Sequence, residues 1–99
     1  MPTYIGLLKL THQGSKEIIN APAKIEESIK LYQNMGGKLI GLYMVMGEYD
    51  YICIGESPSD EVQTAFALAL SARGLVKTTT LKAFTAKEIP AILNLMPKT

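Results

Sequence analysis

Scarcity bounds what this chain can do before any pattern is sought. Its 99 residues hold one cysteine (Cys53), one histidine (His12) and no tryptophan. A single cysteine excludes an intrachain disulfide. With only one histidine beside it, a zinc or haem site of ordinary design is excluded as well, because such sites draw on several of these ligands. Charge is sparse and balanced: 10 Lys and Arg stand against 9 Asp and Glu, a formal net charge of +1. The basic residues form no block, so the phosphate backbone of a nucleic acid finds no matching surface. No run approaches the roughly 20 apolar residues of a membrane span. The stretch from Met1 to Leu10 lacks the basic region and apolar core of a signal peptide. The sequence also lacks a Ser–His–Asp spacing, a phosphate loop and a dinucleotide fingerprint. These absences predict a cytoplasmic protein with no membrane or nucleic-acid partner, no metal and no cofactor.

What is abundant is apolar side chain. Hydrophobic residues make up 47% of the chain and charged residues 19%. Disordered segments have the opposite balance. The length suits one domain, residues 1–99, with one core. The order of elements reads strand, helix, strand, strand, helix, strand, with a short helix at the end. The first strand is expected over Thr3 to Leu10, and Gln13 to Asn20 over one or two helical turns. A helix follows from Pro22 to Met35, opened by a proline that has no N–H to waste and closed by Gly36-Gly37. Ile25, Ile29 and Tyr32 form its apolar stripe. Strands over Lys38 to Met46 and Tyr51 to Glu56 flank a tight Gly47-Glu48-Tyr49-Asp50 connection. A second helix is expected to open at Ser57, with Ser57 as its cap and Pro58 at its first position. Val62, Ala65, Phe66, Ala69 and Leu70 form its stripe, and Gly74 stops it. Leu75 to Phe84 is the fourth strand. Thr85 and Glu88 resemble a capping box, but Pro90 would then break the bonding inside the helix, so the last helix, drawn over Ile89 to Met96, is started near Pro90. Two strand–helix–strand halves of similar length predict an α+β fold: a ferredoxin-like βαββαβ plan with a four-stranded antiparallel sheet.

Side chains alternate faces along a strand, so parity divides each strand in two. Strand one offers Tyr4, Leu8 and Leu10 against Ile5 and Leu7. Strand two offers Leu39, Tyr43 and Val45 against Ile40, Leu42, Met44 and Met46. Strand three sets Tyr51 and Cys53 against Ile52 and Ile54. Both faces are largely apolar, yet two helices cover only one, and a sheet with one wet face should alternate cleanly. The expectation is a homodimer, with the option of higher assembly, in which two helix-free faces pack together as a dimeric α/β barrel. The competing cover is the chain's own tail from Ile89 to Met96.

The segment Met46-Gly47-Glu48-Tyr49-Asp50-Tyr51 resembles the GYD domain family. Thr11 with Gln13-Gly14, Gly36-Gly37-Lys38, Phe66-Ala67-Leu68-Ala69 and Thr78-Thr79-Thr80-Leu81 extend the likeness over nearly the whole chain. The resemblance implies a dimeric α/β barrel and leaves the chemistry open. The hairpin from Gly47 to Ile52 is also similar to one in the ligand-binding domain of the leucine-responsive (Lrp/AsnC) regulators, which implies a small effector bound near that turn.

Candidate functional residues follow from chemistry and position. Glu48 and Asp50 could grip a cation or an amine, with Tyr49 as a lid; the structural alternative has Gly47 at positive φ and Asp50 fixing the turn through backbone N–H bonds. His12 is the one side chain that ordinarily titrates near neutrality, so a proton shuttle would use it, with Tyr49 as the second catalytic candidate. Arg73 suits the negative end of its helix, or else pairs with Asp50 or a ligand carboxylate. Tyr4, Tyr43 and Tyr51 are expected to line a cavity inside the barrel, Tyr43 among the ligand contacts. Three functions compete: a homodimeric module binding a small metabolite, sensory or carrier-like; a cofactor-free enzyme, monooxygenase- or isomerase-like; and a structural interaction module.

Overall fold

A computed structural model describes residues 1–98. The strands are β1 (Thr3–Leu10), β2 (Lys38–Met44), β3 (Tyr51–Glu56) and β4 (Val76–Ala83). The helices are α1 (His12–Lys16), α2 (Ala21–Asn34), α3 (Asp60–Ala72) and α4 (Ile89–Leu93), with 3-10 turns at Ile18–Asn20 and Ala86–Glu88. The strands form one sheet in the order β2-β3-β1-β4, and every neighbouring pair is antiparallel. This is the ferredoxin-like plan. The apolar strands β1 and β3 take its centre, where both edges of each find a partner.

Glycine sets the helix ends as the sequence implied. Gly36 and Gly74 hold φ of +91° and +77° just beyond α2 and α3, a region that a Cβ disfavours. The start of α3 differs from expectation. Ser59 is the cap, its hydroxyl accepting from the Val62 N–H at 3.2 Å, while Ser57 is fully buried with its own N–H donated to the Pro2 carbonyl. Ser57 extends the pairing of the two central strands by one residue and is unavailable as a cap. The Thr85–Glu88 capping box does form; it closes the 3-10 turn, and Pro90 then sits in the first turn of α4, where it breaks no bond.

Register corrects the reading of β2. The pairing runs Leu39 opposite Gly55 but Gly41 opposite Ile54, so β2 carries one extra residue at a bulge. One extra residue inverts parity. Leu39, Leu42 and Met44 therefore share the helix side with Gly55, Cys53 and Tyr51, while Tyr43 lies opposite Ile52 on the helix-free side. The strand also ends two residues early, so the loop from Val45 to Asp50 is longer than the four-residue turn expected.

The helix-free side carries Ile5 and Leu7 of β1, Ile52 and Ile54 of β3, Tyr43 of β2 and Leu81 of β4. Tyr43 is 59% exposed and Leu81 46%. The tail does not shield them. Ile89, Leu93, Leu95 and Met96 are themselves exposed, and the molecule extends 55 Å along its longest axis. Its radius of gyration is 15.4 Å, against about 13 Å for a compact 100-residue domain. The alternative in which the chain's own last helix covers the sheet is therefore wrong for the single chain. Among the described residues no helix is long and apolar enough to cross a membrane.

Candidate functional site: the cleft between sheet and helices

The two main helices lie on the same face of the sheet without closing over it. α2 rests on β2, and α3 on β4. Between them a cavity of about 150 Å³ reaches the sheet. Its floor is Tyr4, Leu8, Tyr51 and Cys53; Ile25 and Ile29 line it from α2, and Phe66 and Leu70 from α3. The helices bridge the gap at two places. The Tyr32 and Phe66 rings meet at 4.6 Å between centroids, tilted by 49°, and the Arg73 guanidinium donates to the Ser28 hydroxyl at 3.3 Å.

Missing side chains shape this space. A Cβ at Gly37 would lie 2.6 Å from the Tyr32 ring, and one at Gly55 would lie 2.9 Å from its hydroxyl. The two glycines thus form the slot that lets Tyr32 reach down to the sheet. There its hydroxyl donates to the Glu56 carbonyl at 2.7 Å, with the Gln63 side-chain amide 2.9 Å away. Gly6 makes room for Cys53 in the same way, since a Cβ there would stand 2.7 Å from the sulfur.

The polar groups around the cleft are few, and most are committed. Tyr4 donates to Asp60, which also takes the Lys82 ammonium at 3.1 Å. Burial, reinforced by the Asp60 carboxylate, pushes the Tyr4 phenol up to about 12. The hydrogen bond from Tyr4 and the Lys82 charge hold Asp60 below its ordinary value. Burial likewise raises Tyr32 to about 12, with the Ser57 hydroxyl pulling the other way, and burial raises the Cys53 thiol. These phenols and the thiol stay neutral at physiological pH. The Tyr51 hydroxyl is not committed. The residue is 6% exposed, lines the cleft, and its buried hydroxyl has no partner. An unmade bond of this kind costs about 1–3 kcal/mol.

The residues singled out in the sequence scatter. Asp50 is a structural clamp: its N–H donates to the Leu8 carbonyl at 2.9 Å, and its carboxylate accepts from the Leu10 N–H at 2.7 Å. The carboxylate supplies the next rung of the β1–β3 ladder, after β3 has run out of backbone. Gly47 holds φ of +112° in the loop, Glu48 is exposed, and neither Glu48 nor Tyr49 lines the cleft. His12 is exposed at the start of α1 and is also outside it. Arg73 stands at the mouth of the cleft and is not paired with Asp50. Of the three strand tyrosines expected to share a cavity, Tyr4 and Tyr51 do; Tyr43 is on the opposite face because of the bulge. Among the described residues no cluster of three or more His, Cys, Asp or Glu could hold a metal ion. Sequence reasoning missed Tyr32 and Gln63 as a hydrogen-bonded pair. The signal was there: Gln63 stands at i−3 and i−7 to Phe66 and Leu70, a polar residue on an apolar stripe.

Comparison with known proteins adds the relationship. The family model described as GYD domain matches residues 4–93. A Thermus thermophilus protein named glutamine synthetase and cystathionine beta-lyase binding protein is 33% identical over 95 residues, covering 95% of this chain and 100% of the relative. No solved structure gives a significant match. Both the extent of the family match and the near end-to-end relative point the same way: this chain belongs to the GYD domain family.

Proposed function

We propose that the chain is a homodimeric binding module that holds a small molecule in the cleft between its sheet and helices. The observation that carries this reading is the cavity of about 150 Å³, walled by aliphatic and aromatic side chains. An apolar cavity of that size accepts a molecule as large as benzene. Ligand sites typically combine such walls with a few polar groups that fix orientation, and the unpartnered Tyr51 hydroxyl is a group of that kind. The reading as a cofactor-free enzyme draws less support, because His12 and Tyr49 stand outside the cleft. The homodimer is supported by the uncovered face around Ile5, Leu7, Ile52 and Ile54, which a second copy would remove from water.

A second reading concerns protein partners. The Thermus thermophilus relative carries the name of a protein that binds two enzymes. The exposed apolar tail, with Leu95 84% and Met96 65% accessible, is a surface that a partner enzyme could cover. The two readings combine in a module whose docking depends on what the cleft holds. Native mass spectrometry of freshly purified protein tests the first: a dimer carrying a small molecule of defined mass is expected. A monomer, or a dimer that neither carries nor takes up any metabolite in a thermal-shift screen, would remove the basis for the small-molecule reading. Co-purification with the chain's own glutamine synthetase or cystathionine beta-lyase, lost on deleting residues 89–98, tests the second.

A further inference from the structure

We propose that the cleft's ligand is a small organic carboxylate, whose compact apolar body fills the space between α2 and α3 and whose negative charge is held by Lys24 and Arg73. This rests on the reading of the cleft as a binding site and goes on to name its chemistry. Lys24 and Arg73 both line the mouth of the cavity, the first from α2 and the second from the C-terminal cap of α3. The ion pairs among the described residues are Lys30–Glu26 and Lys82–Asp60, so among these residues no carboxylate is paired with either cation. Arg73 spends a single N–H on Ser28 at 3.3 Å and keeps the rest of its five donors. The one acid among the lining residues, Glu17, takes the neutral Gln13 side-chain amide and keeps its charge, so Lys24 and Arg73 together leave the mouth net positive. Two free cations over an apolar hole select an anion with an apolar body. Their planar and point-charge geometries are those that carboxylates use best.

The buried end of the site agrees. Tyr51 lies opposite Leu8, and Leu10 lies opposite Val76, three residues beyond Arg73, so the unpartnered hydroxyl and the cationic mouth occupy the same end of the sheet. Burial and the neighbouring Asp50 carboxylate keep the Tyr51 phenol protonated. As a phenol it has a proton to donate, and a carboxylate oxygen is a strong acceptor for it. A cationic ligand would meet the like charges of Lys24 and Arg73 at the mouth.

The test uses three one-ring probes that differ mainly in charge: benzoate, benzamide and benzylamine. Each is titrated into the full chain and followed by the backbone amide resonances of Gly6, Cys53 and Phe66. Benzoate is expected to bind at least about 10-fold more tightly than benzamide, with benzylamine weakest, since a charge-assisted bond is worth roughly a factor of ten or more. Lys24→Gln and Arg73→Gln should each weaken benzoate about 10-fold and leave benzamide unchanged. Lys24 is an exposed helix residue, so the first variant keeps the test valid if Arg73→Gln disturbs packing. Equal affinity for benzoate and benzamide, or benzoate binding insensitive to both substitutions, would overturn the carboxylate assignment while the binding cleft stands. Failure of all three probes to move the cleft resonances would overturn both.

Discussion

Replacing Asp50 by alanine should cost about 2 kcal/mol of stability, and replacing it by asparagine less than about 1 kcal/mol. The carboxylate accepts the Leu10 N–H at 2.7 Å in a partly buried position where β3 no longer offers a carbonyl. Alanine leaves that N–H unpaired, and losing a bond to a charged group costs about 1.5–3 kcal/mol. Asparagine keeps an oxygen in place and loses only the charge. The backbone bonds at Asp50, to Leu8 and from Val45, survive both changes. For a chain of 99 residues, 1 kcal/mol corresponds to roughly 4–8 °C in Tm, so alanine should lower Tm by about 8–16 °C and asparagine by less than about 8 °C. Thermal unfolding by circular dichroism at one protein concentration measures both, and fixing the concentration removes any contribution from association. Exchange of the Leu10 amide in deuterated water should quicken in the alanine variant only. The reasoning fails if asparagine is as damaging as alanine, or if alanine leaves Tm unchanged.

Four further outcomes follow from the same geometry. Gly14→Ala places a Cβ 2.0 Å from the Leu75 carbonyl oxygen, a backbone atom that cannot swing away, so it should cost about 3 kcal/mol or more; Gly47→Ala meets no neighbour and should cost only about 1–2 kcal/mol of φ strain, both read by urea denaturation. Tyr51→Phe removes a hydroxyl with no partner and should leave the ligand-free protein as stable or slightly more so, whereas Tyr32→Phe breaks the bond to Glu56 and should cost about 1 kcal/mol. With Tyr4 and Tyr32 both at about 12 in the folded chain and near 10 when unfolded, the unfolded state releases protons first as pH rises. Stability should therefore be intact below pH 10 and fall between pH 10 and 12, and Tyr4→Phe should flatten that fall in denaturant titrations. Light scattering tests the proposed pairing: the parent should run as a dimer, and Ile54→Asp on the helix-free face as a monomer with circular dichroism near that of the parent.

Legibility in the sequence divided along physical lines. Every strand and both long helices could be read, because periodicity and glycine stops are local signals, and those signals agreed with the global packing. The start of α3 was misjudged by competition between two serines. Ser57 and Ser59 are equally good caps in isolation, and only the third dimension shows that Ser57 is sealed at the end of the central strand pair while Ser59 is free to accept from Val62. The parity of β2 failed for a similar reason. A bulge costs one residue and leaves no mark in an apolar run such as Leu39-Ile40-Gly41-Leu42, apart from the glycine itself, yet it carries Tyr43 to the other face.

The candidate site was less visible because it is made of what is absent. No residue type announces a cleft. It arises where Gly6, Gly37 and Gly55 withdraw Cβ atoms and let Tyr32 and Cys53 lie low against the sheet. With those side chains recessed, α2 and α3 are held apart by the Tyr32–Phe66 contact at one point and the Arg73–Ser28 bond at another, and the space between is left unfilled. An ordinary core would fill it, since buried voids forfeit dispersion contacts on every lining atom. A small domain has little stability to spare, and one that keeps such a void at its centre is under pressure either to collapse or to hold something there. Gly55 decides between these outcomes. Gly55→Ala would push the Tyr32 hydroxyl off the Glu56 carbonyl and tilt α2 away from the sheet. If the cleft is a binding site, that substitution should abolish benzoate binding while the chain stays folded. If the cleft is merely loose packing, Tm should fall and probe binding should be no weaker than in the parent.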